Sequence, residues 1–216
     1  MSVILNNIKK NLKMEVKSFM WKRQNKHNFT VVGERFPKEI SIVKVGRYSY
    51  GPLNVHSFGN SNEKLIIGDF CSIASGVKFL LGGEHSYKNI STYPFKEFFS
   101  KENVNTYTKG PIIIEDDVWI GEDTLILSGI TVGRGSIIGA KSIVTKNIPP
   151  YAIYAGNKVI KYRFEDEIIK KLLKLDYQKL DMKNFKFIEE KLYENIDAHN
   201  IEEIINSISK INRDHE

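Results

Sequence analysis

The chain has 216 residues, 41% of them hydrophobic, and a net charge of +6. That length suits one domain, with or without an appendage. No apolar run approaches the roughly 18 residues that span a bilayer. The excess charge is local: Lys9, Lys10, Lys13, Lys17, Lys22, Arg23 and Lys26 stand against Glu15 alone, and the rest of the chain is balanced. With no zinc-knuckle, RNP or helix-turn-helix signature, nucleic acid is not an expected partner. The start, MSVILNNIKKNLKMEV, lacks the continuous apolar core of a signal peptide. The single cysteine, Cys71, can form no internal disulfide. Together these features favour the cytoplasm.

The first predicted element is a helix over residues 3–21, with an apolar stripe at Leu5, Ile8, Leu12, Val16 and Phe19. Its basic residues read as a solvated face or as a weak peripheral contact with an anionic membrane. Hexads then appear: VGRYSY from Val45, and IGDFCS and IASGVK from Ile67. From Ile114 they run without interruption as IEDDVW, IGEDTL, ILSGIT, VGRGSI, IGAKSI and VTKNIP. Every leading residue is a β-branched aliphatic: Ile114, Ile120, Ile126, Val132, Ile138 and Val144. No fifth position is charged.

A period of six is neither helical nor a simple strand alternation. It fits a short strand and a turn, repeated, with three units closing a triangular coil. Glycines at Gly121, Gly133 and Gly139 read as corner residues. The expected fold is mainly β, a parallel β-helix.

The pattern breaks between Leu80 and Lys109, where LLGGEHSYKNISTYPF begins. A break that long in a compact domain is usually functional or disordered, and its aromatics argue against disorder. After Pro149-Pro150 the pattern changes again. FEDEIIKKLLKL, with acids in its first turn, and the set Ile201, Ile204, Ile205 and Ile208 both read as helices. The organisation expected is therefore 1–30, a basic N-terminal helical segment; 31–160, the β-helix with an excursion loop at about 80–110; and 161–216, a C-terminal helical segment.

Several of these stretches, VGRYSYG, VHSFG, IGDFCSIASGV, LGGEHSYKNISTYPF, KGPIIIEDDVWIG and IIGAKSIVTKNIPPYAIYAGN with the RF that follows, span about residues 45–165. They resemble the hexapeptide-repeat acyltransferases, in the xenobiotic acetyltransferase branch. That branch holds chloramphenicol and streptogramin acetyltransferases and related polysaccharide O-acetyltransferases. HNFTVVGERFP, upstream, is similar to the polysaccharide-modifying members. The resemblance implies a left-handed coil, a homotrimer with active sites between subunits, acetyl-CoA as co-substrate and no metal. It also implies that His85 is the catalytic residue. Three departures stand out. Glu84 occupies a position where asparagine is usual, AGNKVIKYRF is two residues short of the common pattern, and Leu175-Asp176-Tyr177 replaces the tryptophans of drug-modifying members.

The chemistry is consistent with that assignment. Imidazole changes charge nearest neutral pH, so His85 can take a proton from an acceptor hydroxyl and return it to a leaving thiolate. For the cofactor, the resemblance implies Trp119 and Gly121 near the thiol end and Gly139, Ala140, Thr145 and Lys146 along the pantetheine. By their chemistry, Asn157 in the AGN loop reads as a pantetheine neighbour and Lys146 as a phosphate partner, while Lys161 and Arg163 read equally as phosphate partners or as a solvated face. Tyr48, Tyr50, Asn54, Tyr93 and Phe95 offer flat surfaces and polar tips to a sugar or drug ring. His56 reads equally as an acceptor contact or a structural group, and Glu84 as a partner of the acceptor or of His85. Cys71 reads as core, and His27, His199 and His215 as surface residues.

The leading expectation is an acetyl-CoA-dependent O-acetyltransferase acting on a surface polysaccharide or its precursor. Antibiotic acetylation and N-acetylation of an amino sugar are the alternatives. A zinc carbonic anhydrase on a similar coil needs three converging histidines, and only His56 and His85 lie between residues 28 and 198. A non-enzymatic scaffold is the remaining class.

Overall fold

A computed structural model describes residues 2–101, 106–180 and 182–214. His215 lies outside them, and so do the side chains of Leu5 and Ile8. The chain divides after Lys161 into two compact units.

The first unit opens with α1 (Ser2–Gln24), which carries Lys22 and Arg23 in its last turn, where positive charge suits the helix dipole. The strands that follow are β1 (Phe29–Val32), β2 (Val43–Val45), β3 (Tyr50–His56), β4 (Leu65–Ile67), β5 (Ser72–Ile73) and β6 (Lys78–Leu80). After the excursion come β7 (Ile112–Ile114), β8 (Trp119–Ile120), β9 (Leu125–Leu127), β10 (Thr131–Val132), β11 (Ile137–Ile138), β12 (Ile143–Val144), β13 (Ala152–Ala155) and β14 (Lys158–Tyr162).

All the coil strands pair in parallel, in three ladders. The first stacks β2, β4, β7 and β10. The second runs from Tyr50 of β3 through β5, β8 and β11 to β13. The third runs from Asn54–His56 of β3 through β6 and β9 to β12. Ile114 pairs with Val132, Ile120 with Ile138 and Ile126 with Val144, so each hexad leader meets the one three hexads on. These stacked parallel ladders fit the parallel β-helix expected from the period.

The hexad grammar has a clear physical basis. All six leaders from Ile114 to Val144 are at most 1% exposed. Full burial of such a side chain contributes about 1.5–3 kcal/mol. The fifth positions, Val118, Thr124, Ile130, Ser136, Ser142 and Ile148, are buried as well. The fourth positions turn the corners: Asp117, Asp123, Gly129, Gly135 and Lys141 all adopt positive φ, where aspartate and glycine are least strained.

The second-position glycines have a different reason from the one expected. Gly121, Gly133 and Gly139 are not at positive φ. They are small because the next coil passes directly over them. A Cβ on Gly121 would come 2.5 Å from the Ala140 nitrogen, and one on Gly133 would come 2.5 Å from the Pro150 nitrogen.

The N-terminal helix also corrects the sequence expectation. Leu12, Val16 and Phe19 are exposed. The face turned to the body carries Met14, Lys17 and Trp21 instead. Trp21 is 1% exposed, meets Phe36 edge-on at 5.2 Å, and donates its indole N–H to Thr30 Oγ1. One large aromatic side chain with a satisfied polar tip anchors the helix better than the aliphatic stripe does.

The excursion leaves after β6 and contains one turn of π-helix, Lys96–Ser100. On return, the Thr108 hydroxyl donates to the Leu81 carbonyl. β7 then pairs with β4 in register, Leu65 with Ile112, as though nothing had intervened.

The second unit, Tyr162–Glu216, holds α2 (Asp166–Leu172), α3 (Phe185–Tyr193) and α4 (Ile201–Asp214). Ile168, Ile169, Ile188, Ile201, Ile204 and Ile208 are buried, as the sequence pattern predicted for α4. No helix among the described residues is long and apolar enough to cross a membrane.

Candidate active site

His85 stands at the root of the excursion. Its neighbour Glu84 closes that root: the Glu84 N–H donates to the Tyr107 carbonyl at 3.1 Å, and the Tyr107 N–H donates back at 2.9 Å. The Glu84 carboxylate meets Lys109 Nζ at 3.2 Å, and the Ser128 hydroxyl lies at 3.5 Å from the same oxygen. Glu84 therefore ties the outgoing strand to the returning one and to the coil corner after β9.

The His85 ring is exposed, and its Nδ1 lies 2.8 Å from the Thr92 carbonyl oxygen. A carbonyl can only accept, so Nδ1 carries the proton and donates. Nε2 is then the nitrogen with the lone pair. A recess beside the ring is lined by Glu84, Asn89, Thr92, Tyr93, Pro94 and Tyr107. Tyr93 packs edge-on against Phe95 at 4.8 Å and at a tilt against Phe98 at 5.5 Å, and Phe95 stacks on Phe99 at 6.0 Å. These rings form an exposed aromatic shelf next to the histidine.

The other candidates divide by ladder. His56 ends the third ladder's portion of β3, paired with Leu80. Its Nδ1 accepts from Arg35 at 3.5 Å. Burial, then the charges of Arg35 and Lys78, lower its pKa. Thr145 and Lys146 are exposed and follow β12 in that same ladder, at the corner where Ser128 follows β9 one coil earlier. Trp119 is exposed on the second ladder, with Tyr50 two strands away. Gly121, Gly139 and Ala140 lie at the turns that follow that ladder. Tyr48, at positive φ, stacks on Phe70 at 5.2 Å. The chain thus gathers His85, Glu84, Tyr93, Phe95, His56, Thr145 and Lys146 around the third ladder and its loop. It leaves Trp119, Gly121, Tyr48 and Tyr50 on another part of the coil.

Two asparagines are committed to backbone. Asn54 accepts from Glu34 N–H at 2.7 Å and donates to Val77 O. Asn157 accepts from Ile143 N–H at 2.8 Å. Gly156 and Asn157 both have positive φ. They make the two-residue turn between the neighbouring strands β13 and β14. That tight turn accommodates the short AGNKVIKYRF stretch. Lys161 is exposed on β14. Arg163 falls in the second unit, its guanidinium 5.1 Å from the Phe164 ring centre.

Comparison with known proteins settles the family. The family model for bacterial transferase hexapeptides (six repeats) matches residues 111–146. A chloramphenicol acetyltransferase of Klebsiella aerogenes is 40% identical over 167 residues, covering 67% of this chain and 79% of the relative. A probable macrolide acetyltransferase of Lysinibacillus sphaericus is 40% identical, covering 72% and 89%. The virginiamycin A acetyltransferase of Staphylococcus aureus is 39% identical, covering 65% and 72%.

The chain belongs to the xenobiotic branch of the hexapeptide-repeat acetyltransferases. It is an acyltransferase. Within this acetyltransferase, the sequence pointed to the histidine and the aromatics after it. It did not point to Thr92, Lys109 or Ser128. Their partners are seven, 25 and 44 residues away, and only the return of the excursion brings the last two to Glu84. Cys71 is buried, as expected of a core residue. His27 and His199 are exposed. Among the described residues, no three metal-ligating side chains are grouped to hold an ion.

Proposed function

We propose that this acyltransferase moves an acetyl group from acetyl-CoA to a hydroxyl of a saccharide, a surface polysaccharide or its precursor, with His85 as general base. The observation that carries the base assignment is the Nδ1–H···O bond to Thr92. It fixes the tautomer in which Nε2 is free to accept. In this reading the Tyr93–Phe95 shelf holds the sugar ring, and Nε2 takes the proton from the acceptor hydroxyl. The acceptor oxygen forms a bond to the acetyl carbon, the carbon–sulfur bond breaks, and the imidazolium returns the proton to the thiolate. Both substrates are bound together, and positioning supplies much of the acceleration.

The residues present suit coenzyme A. The bound thioester supplies an already activated acetyl group. Ala140, before β12, and Thr145 and Lys146, after it, are exposed at the two corners that flank this strand of the third ladder. Lys146 and Lys161 are exposed and suited to phosphate. Trp119 and Gly121 belong to a different ladder from His85. A homotrimer of left-handed coils, with each site between two subunits, accounts for that separation. A peripheral contact between α1 and an anionic membrane belongs to the same reading. Leu12, Val16 and Phe19 are exposed there beside Lys13, Lys22 and Arg23.

The named relatives act on drugs by their descriptions, so antibiotic acetylation is the second reading. A thiol-release assay over sugars, nucleotide sugars, chloramphenicol and streptogramins separates the two. The base is tested by His85→Ala. It is expected to keep coenzyme A binding and assembly and to lose transfer by about 10²-fold or more. Unchanged turnover removes His85 from the role.

A further inference from the structure

A cleft at the first coil holds cations that the acetyl-transfer chemistry leaves unused. It measures about 540 Å³ and is walled by Met14 of α1, by residues 34–39 and by residues 55–59. Its walls are fixed from behind. Lys17 Nζ donates to the Phe36 carbonyl at 2.9 Å, and the Phe36 ring is held edge-on by Trp21. The Val55 N–H donates to the Arg35 carbonyl at 2.8 Å. Glu63, 1% exposed, accepts from the Ser57 hydroxyl and from the N–H groups of Phe58 and Gly59.

The side chains that face the opening are less satisfied. Among the described residues, no carboxylate pairs with Arg35 or Lys38. Among the described residues, the Arg35 guanidinium reaches His56 Nδ1, an acceptor without charge. Lys17 is repelled by Lys13 and by Lys38, and Arg35 and Lys78 act on His56 in the same way. Two carboxylates line the cleft, and Glu39 is already engaged by the Ser41 N–H and hydroxyl. Arg35 and Lys38 therefore stand at a preformed opening with no carboxylate salt-bridged to either among the described residues.

We propose that this cleft binds the phosphate or diphosphate that joins the acceptor saccharide to its carrier, with Arg35 and Lys38 as the ligands. The inference rests on the saccharide reading and narrows its substrate class. An arginine fork and a lysine point charge are the usual partners of phosphate. A dianion neutralises both cations at once, and the volume exceeds what a lone carboxylate needs. The location fits as well. Phe58, on the cleft wall, lies against Gly83, two residues before His85. A sugar attached to the bound phosphate extends from the cleft toward the catalytic loop.

The test is calorimetric binding of inorganic pyrophosphate, without acetyl donor, to the wild type, to R35Q/K38Q and to a charge control, K44Q. Lys44 is exposed on β2, away from the cleft. Expected are at least tenfold weaker binding in the double variant, no change in K44Q, and an intermediate loss in R35K, which keeps charge but not the fork. Tighter binding of uridine diphosphate than of pyrophosphate identifies a nucleotide carrier. Co-sedimentation with phosphatidate vesicles, lost in R35Q/K38Q, identifies a lipid carrier. Equal pyrophosphate affinity in the wild type and the double variant, or displacement of pyrophosphate by coenzyme A, overturns the proposal. Neither result touches the acetyl-transfer reading, because no transfer is measured. Conversely, a failed saccharide screen leaves the binding result standing.

Discussion

The Phe58 ring occupies the space that a side chain at Gly83 would need. A Cβ on Gly83 would come 2.8 Å from two of its carbons, and Gly83 itself sits at φ +89°. Gly83 is therefore demanded twice, by backbone conformation and by packing. Gly83→Ala is expected to cost about 1–3 kcal/mol of local strain and to lower transfer at least tenfold by moving the loop root. Combining it with Phe58→Ala removes the clash but not the φ strain. The double variant should thus recover part of the loss in a steady-state assay. A double variant worse than both singles contradicts the packing argument.

Glu63 is the buried support of the same root. Its carboxylate holds residues 57–59, and a Cβ on Gly82 would come 2.7 Å from Glu63 Oε1. Glu63→Ala removes the part-buried bonds from Ser57, Phe58 and Gly59 to a charged acceptor, each contributing about 1.5–3 kcal/mol at most. A fall in stability of at least about 2 kcal/mol is expected by denaturant titration, with Glu63→Gln falling between it and the wild type. Wild-type stability in Glu63→Ala rules out the support role.

These supports show where the sequence is informative. The coil was legible because its rule is local and repeated: leaders and fifth positions point inward at a period of six. The role of Gly121 and Gly133 was misread, because a close pass by the next coil leaves no mark in the hexad itself. The α1 stripe was misread because Trp21 and Lys17, off the stripe, make the anchoring contacts. The motif singled out His85 as the candidate base. Its tautomer depends on Thr92 inside the loop, and the partner of Glu84 is Lys109, beyond the whole excursion. No spacing rule reaches that far. The unusual glutamate is thus accounted for as a clasp across the loop root.

Cys71 tests the coil interior chemically. Burial pushes its thiol up to about 12. Its Sγ–H donates to the Glu115 carbonyl at 3.0 Å. Only the thiolate reacts with disulfide reagents, so the native protein at pH 8 is expected to be inert to an aromatic disulfide. One thiol per chain should appear on unfolding. A fast native reaction places Cys71 outside the core.

His56 predicts an acid-side loss of stability. Its pKa is lowered from 6.5, first by burial and then by Arg35 and Lys78. The folded state therefore binds this proton less readily than the unfolded chain does. Stability is intact above the unfolded value and declines as pH falls from about 6.5 through the lower folded value. Glu39 and Asp197 also have lowered pKa values, but they start from carboxylate values and act in a more acidic window. Melting temperature followed from pH 7.5 to 5 should fall in the wild type and flatten in His56→Gln, with the two curves meeting again below that range in slope. An identical slope in both proteins between pH 6.5 and 5 removes His56 as the cause.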